Sequence, residues 1–382
     1  MARYDVIVVG LGAIGSAAAC HVASRGLRVL GLDARAPPHT FGSHHGESRI
    51  IRMAYYEHPS YVPLLRRAFA SWSELQERCG RRLMLRTGGL MVGLPGSELV
   101  SGVLASVRAH GLAHEVLDCD AIVTRYPALH VDRDMIAVRD DDAGILFPEA
   151  CIRAFLDAAV SAGAELRLEE PVAAWKAGAN GVEVATAKAT YRARTLVLAP
   201  GTGMRDLLPE LQQHLTIERQ VVAHFEPTRA APVTPERLPI YCVEEPDGAF
   251  YYGIPDLGAG CKVGRHHAGL TGEPEDAWRS VTSADVDDLR AFLVRRLPSV
   301  DGPVTSSASC LYTNTPDWHF VLDRHPRHPG VIVASVCSGH GFKFASVVGE
   351  VVADWAAGSQ PPFDLSMFGM PRLIRRRPRP RA

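Results

Sequence analysis

The stretch Asp5-Val-Ile-Val-Val9-Gly10-Leu-Gly12-Ala-Ile-Gly15 decides how this chain folds. An apolar, β-branched run of strand length feeds directly into glycines at G-x-G-x-x-G spacing, and an Ala-rich helix follows. The glycines let the backbone turn tightly, approach a pyrophosphate and pack the helix on the strand. The helix N-terminus adds free N–H groups and a partial positive charge. Working outward, Arg28-Val-Leu-Gly-Leu-Asp33 is a second strand ending in a carboxylate at the distance expected for a ribose hydroxyl. A Gly-rich turn alone also serves plain strand–helix packing. Strand, turn, helix and terminal acid in register point instead to a dinucleotide-binding, doubly wound (Rossmann-like) α/β domain.

At 382 residues with 47% hydrophobic content, the chain exceeds one ordinary domain and can bury a large core, so two domains are predicted. A formal charge of −1 gives no bulk attraction to nucleic acid or anionic membrane. No apolar run reaches membrane-spanning length and the N-terminus is already a strand, which predicts a cytoplasmic protein. The eight cysteines (Cys20, Cys79, Cys119, Cys151, Cys242, Cys261, Cys310, Cys337) lack a C-x-x-C, so neither a disulfide framework nor a zinc knuckle is expected.

Beyond Asp33, the Pro and Gly content of 35–46 predicts a loop, with helical spacing resuming from Tyr61 to Leu75. Strand-like texture begins near Arg86, a helix is predicted near 98–110 and a short extended run near 135–138. The triplet Asp140-Asp141-Asp142 lacks a neighbouring ligand set and reads as a solvated turn. A helix over 149–161 leads to a strand over 165–172, a ribbon over 181–194, and the buried strand Thr195-Leu-Val-Leu-Ala-Pro-Gly201. Aromatic-rich strands between 215 and 303, with a helix over 284–297, form the second half of an antiparallel α+β substrate domain. Strand 331–336, the glycines of Ser338-Gly339-His340-Gly341-Phe342-Lys343 and a helix over 344–355 repeat the strand–glycine–helix order of the N-terminus. The cofactor domain is thus predicted from 1–86, 146–214 and 320–382, and the substrate domain from 87–145 and 215–319. The basic, proline-broken tail from Arg372 reads as a disordered, solvated end.

The loop Gly42-Ser43-His44-His45-Gly46-Glu47-Ser48-Arg49-Ile-Ile-Arg52 concentrates imidazoles and guanidiniums suited to an anionic substrate. Adjacent His44 and His45 lack the spacing of a zinc pair, so no metal is expected. This loop, together with Ser309-Cys310-Leu-Tyr312-Thr-Asn-Thr-Pro-Asp-Trp-His-Phe-Val-Leu-Asp323 and Ser338-Gly-His-Gly-Phe-Lys343, resembles the monomeric sarcosine oxidase and N-methyltryptophan oxidase family, in order and over nearly the whole chain.

The resemblance implies an FAD-dependent oxidase of N-methyl amino acids. It would oxidise the N–C bond to an imine and reduce O2 to H2O2, as a monomer taking only a small-molecule substrate and O2. Cys310 would carry the flavin covalently as an 8α-S-cysteinyl thioether. Arg52 and Lys343 would hold the substrate carboxylate, a task that suits a guanidinium and an ammonium. Lys262 would activate O2 on the opposite flavin face, and the helix beginning near Phe342 would aim its dipole at the flavin pyrimidine end. Tyr252, Tyr312 and His266 resemble the cavity wall that meets the amine, while Arg49 and His45 resemble residues assisting flavin attachment. Gly10, Gly12, Gly15, Asp33, Ser43, His44, Val172, Gly201, Gly339, Gly341 and Phe342 would line the cofactor.

The chain departs from the family pattern at Cys242, which stands for a larger thioether, at the bulky Arg265-His266-His267, and at Ser48, which stands for a threonine. These departures leave the substrate side chain open. The same carboxylate clamp would serve pipecolate or proline. A flavin dehydrogenase using another electron carrier, or a noncatalytic dinucleotide-binding protein, would share the first strand-turn-helix; Cys310 and Lys262 argue against the dehydrogenase.

Overall fold

The computed structural model describes residues 4–273 and 279–374. The first strand, Tyr4–Val9, pairs in parallel with Val29–Leu32 on one side and Thr190–Leu198 on the other. The short strand Glu165–Arg167 extends the sheet beyond Val29–Leu32, and His328–Ser335 adds a parallel partner to Thr190–Leu198. Three antiparallel strands, Val172–Gly178, Gly181–Thr186 and Val321–His325, complete eight. Helices Ala13–Ser24, Pro148–Ser161 and Ala345–Ala356 share one hydrophobic core with this sheet. The first of them is buried nearly all round by Ala17, Ala18, Ala19, Cys20 and Val22, which is why it reads as small and apolar rather than amphipathic.

The glycine turn behaves as its spacing demands. Gly10 has φ 84°, a left-handed conformation that costs a side chain, and a Cβ at Gly15 would run into the Gly10 carbonyl. Gly15→Ala is therefore expected to destabilise the protein by about 1–3 kcal/mol through overpacking. Urea unfolding checks this, and an unmoved midpoint would mean the turn yields freely.

A second eight-stranded sheet runs in the order Val304–Asn314, Thr216–Phe225, Cys261–His266, Phe250–Ile254, Ile240–Glu244, Gly89–Gly93, Ile136–Asp140, Glu115–Leu117. Its pairs are antiparallel except where Ile240–Glu244 meets Gly89–Gly93 in parallel, at the junction of two chain segments distant in sequence. A small third sheet pairs Gly144–Leu146 with both Arg49–Ile51 and Met84–Arg86, joining residues on either side of the predicted 145/146 boundary.

The structure corrects four local expectations. The strand expected over 165–172 is two strands, Glu165–Arg167 and Val172–Gly178, separated where Glu169 takes φ 54° and Pro171 has no N–H to donate. Within the basic loop, Arg49–Ile51 is a strand. Asp140 does not sit on a solvated turn. It is 2% exposed and accepts backbone N–H bonds from Met53 (2.6 Å) and Ala54 (2.9 Å), while Asp141 and Asp142 carry the solvent-facing charge. Burial pushes its carboxyl above the ordinary value, with these donors pulling the other way. Arg372, assigned to the solvated tail, pairs with Asp317 at 2.9 Å and donates to the Phe320 carbonyl at 2.6 Å. The remainder of that tail, 375–382, lies outside the described residues.

Candidate active site

A cavity of about 510 Å³ runs between the two large sheets, from the Gly10 turn and Asp33 at one end to Arg52 and Lys343 at the other. Every residue singled out above as a site candidate lines it except Gly15, whose role is packing beneath the turn. At the turn, Asp33 accepts the backbone N–H groups of Leu11 (2.6 Å) and Arg35 (2.8 Å), so its carboxylate is oriented by the chain before any ribose meets it. His44 packs against Gly12, whose Cβ would lie 3.0 Å from Nδ1, and Ser43 donates its hydroxyl to the Leu311 carbonyl.

Two cationic pairs line the cavity. Lys262, 2% exposed, donates from Nζ to the carbonyls of Gly46 (2.6 Å) and Ser48 (2.9 Å). Arg49 donates to the carbonyls of His45 (2.6 Å), Ser48 (2.8 Å) and Ser43 (2.9 Å), tying the 43–48 loop into a frame around Lys262. Burial, then the Arg49 charge, lowers the Lys262 ammonium to about 7. Cys310 belongs to this group. Burial pushes its thiol up, and Arg49 and Lys262 are the charges that favour its thiolate.

In the second pair, Lys343 donates to the His340 carbonyl (2.8 Å), and burial followed by the Arg52 charge lowers its ammonium to about 7. Arg52 gives Nη2 to both oxygens of Glu57 (2.6 and 2.7 Å) and lies over the rings of Tyr55 (4.1 Å) and Tyr56 (4.8 Å). Burial, the largest single influence, works against the Glu57 charge, but Arg52, His340 and Lys343 together outweigh it and hold the carboxyl below its ordinary value. Glu57 is the site residue that the sequence did not disclose. It follows Tyr55-Tyr56 in an irregular segment, and no periodicity announces it. His340 was likewise unassigned; its Nδ1 lies 2.6 Å from the Tyr55 hydroxyl and its Nε2 2.9 Å from the Trp318 carbonyl.

Phe250, Tyr252, His266 and Tyr312 give the cavity an aromatic wall, with Cys242 also on the cavity. His266 Nδ1 lies 3.3 Å from the Tyr312 hydroxyl. Gly339, at φ 76°, brings the backbone so close that a Cβ would strike Tyr312 and His266, and one at Gly341 would strike the Val336 carbonyl. Phe342 stacks on Trp72 at 6.0 Å, and Trp72 Nε1 donates to the Lys343 carbonyl, anchoring the start of the helix Ala345–Ala356. Burial lowers the imidazoles facing the cavity, His45 to about 4, His44 and His340 to about 3, and His266 well below its usual value. Charge in the cavity therefore rests on Arg35, Arg49, Arg52, Lys262 and Lys343 against Asp33, Glu57 and Asp206, an excess of cation that suits an anionic ligand.

The features of this cavity fit FAD: a glycine turn that only backbone can fill, an oriented acid at the second strand, and the buried Nε2 of His45, which has no partner among the described residues. Residues 5–355 match the FAD dependent oxidoreductase (DAO) family. The chain is 43% identical to the monomeric sarcosine oxidase of Streptomyces avermitilis, over 97% of this chain and 98% of that protein. It is 36% identical to the N-methyl-L-tryptophan oxidase of Salmonella newport, over 97% and 99%. Among solved structures, NikD, an unusual amino acid oxidase essential for nikkomycin biosynthesis, superposes with a TM-score of 0.83 at 28% identity, covering 97% of this chain and 98% of its own. A glycine turn, an oriented acid and a cation-rich cavity between two sheets are thus the parts of an oxidoreductase site, and the chain belongs to the FAD-dependent oxidoreductase family.

Proposed function

We propose that this protein is an FAD-dependent oxidase of N-methyl amino acids, converting the secondary amine to an imine that water hydrolyses and reducing O2 to H2O2. The observation that carries this reading is the pairing of two buried lysines with two arginines on one cavity. Lys343–Arg52 lies among Cys242 and Glu57, and Lys262–Arg49 beside Cys310. FAD, when bound, supplies the acceptor for the hydride equivalent taken from the carbon next to nitrogen. Lys343 and the donors of Arg52 that Glu57 leaves available would hold the substrate carboxylate. Tyr252, Tyr312 and the neutral His266 would enclose the amine without adding a charge that opposes the cation formed beside it. Lys262 would face O2, and Arg49 and His45 would border the flavin ring.

In this reading the parallel sheet and its helices, drawn from 1–86, 146–214 and 320–382, bind the cofactor, and the second sheet, drawn from 87–145 and 215–319, supplies the cavity wall. The naming of similar proteins as monomeric supports a monomer.

The test is a substrate panel of sarcosine, N-methyltryptophan, pipecolate and proline, scored by H2O2 release. Peroxide from the N-methyl compounds is expected. Reduction of an artificial dye without peroxide would make the protein a dehydrogenase, and turnover of the cyclic compounds alone would shift the substrate class.

Covalent attachment through Cys310 is part of the proposal, supported by the position of its thiol beside Arg49 and Lys262. Acid precipitation of the wild type is expected to leave flavin on the protein, and Cys310→Ser is expected to release it. An intact mass of the wild type without a flavin adduct would refute the linkage.

A further inference from the structure

His224 is a buried titratable group to which the proposed chemistry gives no task. It stands in the middle of a cross-strand row. In the antiparallel register it is directly opposite Lys262 on one side and Ser306 on the other, so the three side chains share one face of the sheet. That face is the one toward the cavity, because Val222, two residues before His224, and Cys310, four residues after Ser306, both line it. His224 is 7% exposed, whereas Ser306 and Glu47 are exposed to solvent. Its Nδ1 lies 3.0 Å from the Ser306 hydroxyl and its Nε2 3.9 Å from the Glu47 carboxylate. Glu47 is in turn the residue between the two carbonyls, of Gly46 and Ser48, that hold Lys262 Nζ. Solvent, a carboxylate and a hydroxyl, an imidazole, and the buried ammonium thus follow one another from surface to cavity.

We infer that His224 is a proton-relay residue, fed from water through Glu47 and Ser306, that restores the proton of Lys262 during the reduction of O2. Forming H2O2 from O2 requires one hydride equivalent and one proton. The hydride equivalent comes from the substrate carbon, and the proton leaves an N–H bond of Lys262. An N–H bond is remade at Nζ when the imidazole, whose nitrogens lie beyond direct hydrogen-bond distance of Nζ, passes its proton inward through a bridging water and takes another from solvent. This inference rests on Lys262 serving O2, as proposed above.

The charges that face His224 are Lys262, which disfavours the imidazolium, and Glu47, which favours it; burial is the largest influence and also disfavours it. Those facing Lys262 are Arg49, Cys310, Glu149 and Glu47, with His45 also within its field. A neutral imidazole between a cation and a carboxylate can accept and donate a proton without holding it, which is what a relay needs.

Two measurements test it. In the FAD-loaded protein, imidazole NMR titration of His224 is expected to shift its midpoint up by about one unit or more in Lys262→Met, since a like charge directly across the strand pair is removed. An unmoved midpoint would show that the two groups are not coupled and would overturn the inference. In stopped-flow, His224→Ala is expected to leave anaerobic reduction by substrate unchanged, to slow reoxidation by O2 about tenfold, and to recover with added imidazole, for which the shortened side chain leaves room. Should the alanine variant fail to fold, His224→Gln keeps a polar side chain and carries the same expectation for both half-reactions. If Lys262→Met slows reoxidation and neither His224 variant does, the relay is wrong and the Lys262 assignment stands. If Lys262→Met itself does not slow reoxidation, the underlying reading fails.

Discussion

Lys262→Met is expected to slow reoxidation of the reduced enzyme by O2 about a hundred- to a thousandfold, the range seen when one preorganised stabilising group is removed, and to leave anaerobic reduction by substrate nearly untouched. The expectation follows from what surrounds the ammonium. Lys262 is 2% exposed, its acceptors are the neutral carbonyls of Gly46 and Ser48, and among the described residues no carboxylate stands within ion-pairing distance of it. A cation so placed is screened weakly, and its attraction for an anion forming nearby is correspondingly large. Met keeps the length and apolar bulk and deletes only the charge. Stopped-flow absorbance on each half-reaction separates the steps. Collapse of reduction with fast reoxidation would make Lys262 a substrate-binding residue.

The sign of the pH dependence follows from the same site. Lys262 is lowered to about 7, chiefly by burial, and only its protonated form stabilises an anion. Wild-type reoxidation should therefore slow as pH rises through the lysine's midpoint, which an anionic neighbour lifts above that value, and the break should vanish in Lys262→Met.

Truncating the other pair should act on substrate instead. Arg52→Ala or Lys343→Ala removes a charge-assisted contact worth roughly 1.5–3 kcal/mol, about a ten- to hundredfold loss in apparent affinity. Arg52→Ala carries a second cost, because Glu57 loses the guanidinium that both its oxygens accept and is left as a buried carboxylate. The Arg52→Ala effect should accordingly shrink in Arg52→Ala/Glu57→Gln, a coupling that a double-mutant cycle on apparent affinity measures. The Lys343 ammonium, lowered to about 7 mainly by burial, must be protonated to attract a carboxylate. Binding of a non-oxidisable carboxylate should thus weaken as pH rises above 7 and lose that dependence in Lys343→Met. Unchanged affinity in both single variants would put the substrate carboxylate elsewhere.

How much of this was legible beforehand depended on whether the signal was local. The strand-turn-helix at Val6 to Ala23 reads correctly because steric rules acting within a few residues determine it: a glycine at φ 84° where a side chain is strained, and a Gly15 that no Cβ can replace without meeting Gly10. Asp140 was illegible for the opposite reason. Three consecutive aspartates look alike in composition, and only the packing of the 52–54 backbone over the end of Ile136–Asp140 selects one of them for burial. The break at Glu169 to Pro171 was written in a single proline within an otherwise strand-like run.

Local sequence signals alone were enough for the dinucleotide turn, the acid at Asp33 and the return to the parallel sheet at 195–198 and 331–335. Each of these depends on residue type and short-range spacing. Tertiary structure alone decided that Arg52 is engaged by Glu57, that Lys262 is held by the backbone on either side of Glu47, and that His224 lies across from Lys262. Those relations join residues far apart in the chain or across an irregular turn, where no periodicity links them. Their energies arise from burial and from charge at short range, which exist only once the two sheets have closed over the cavity.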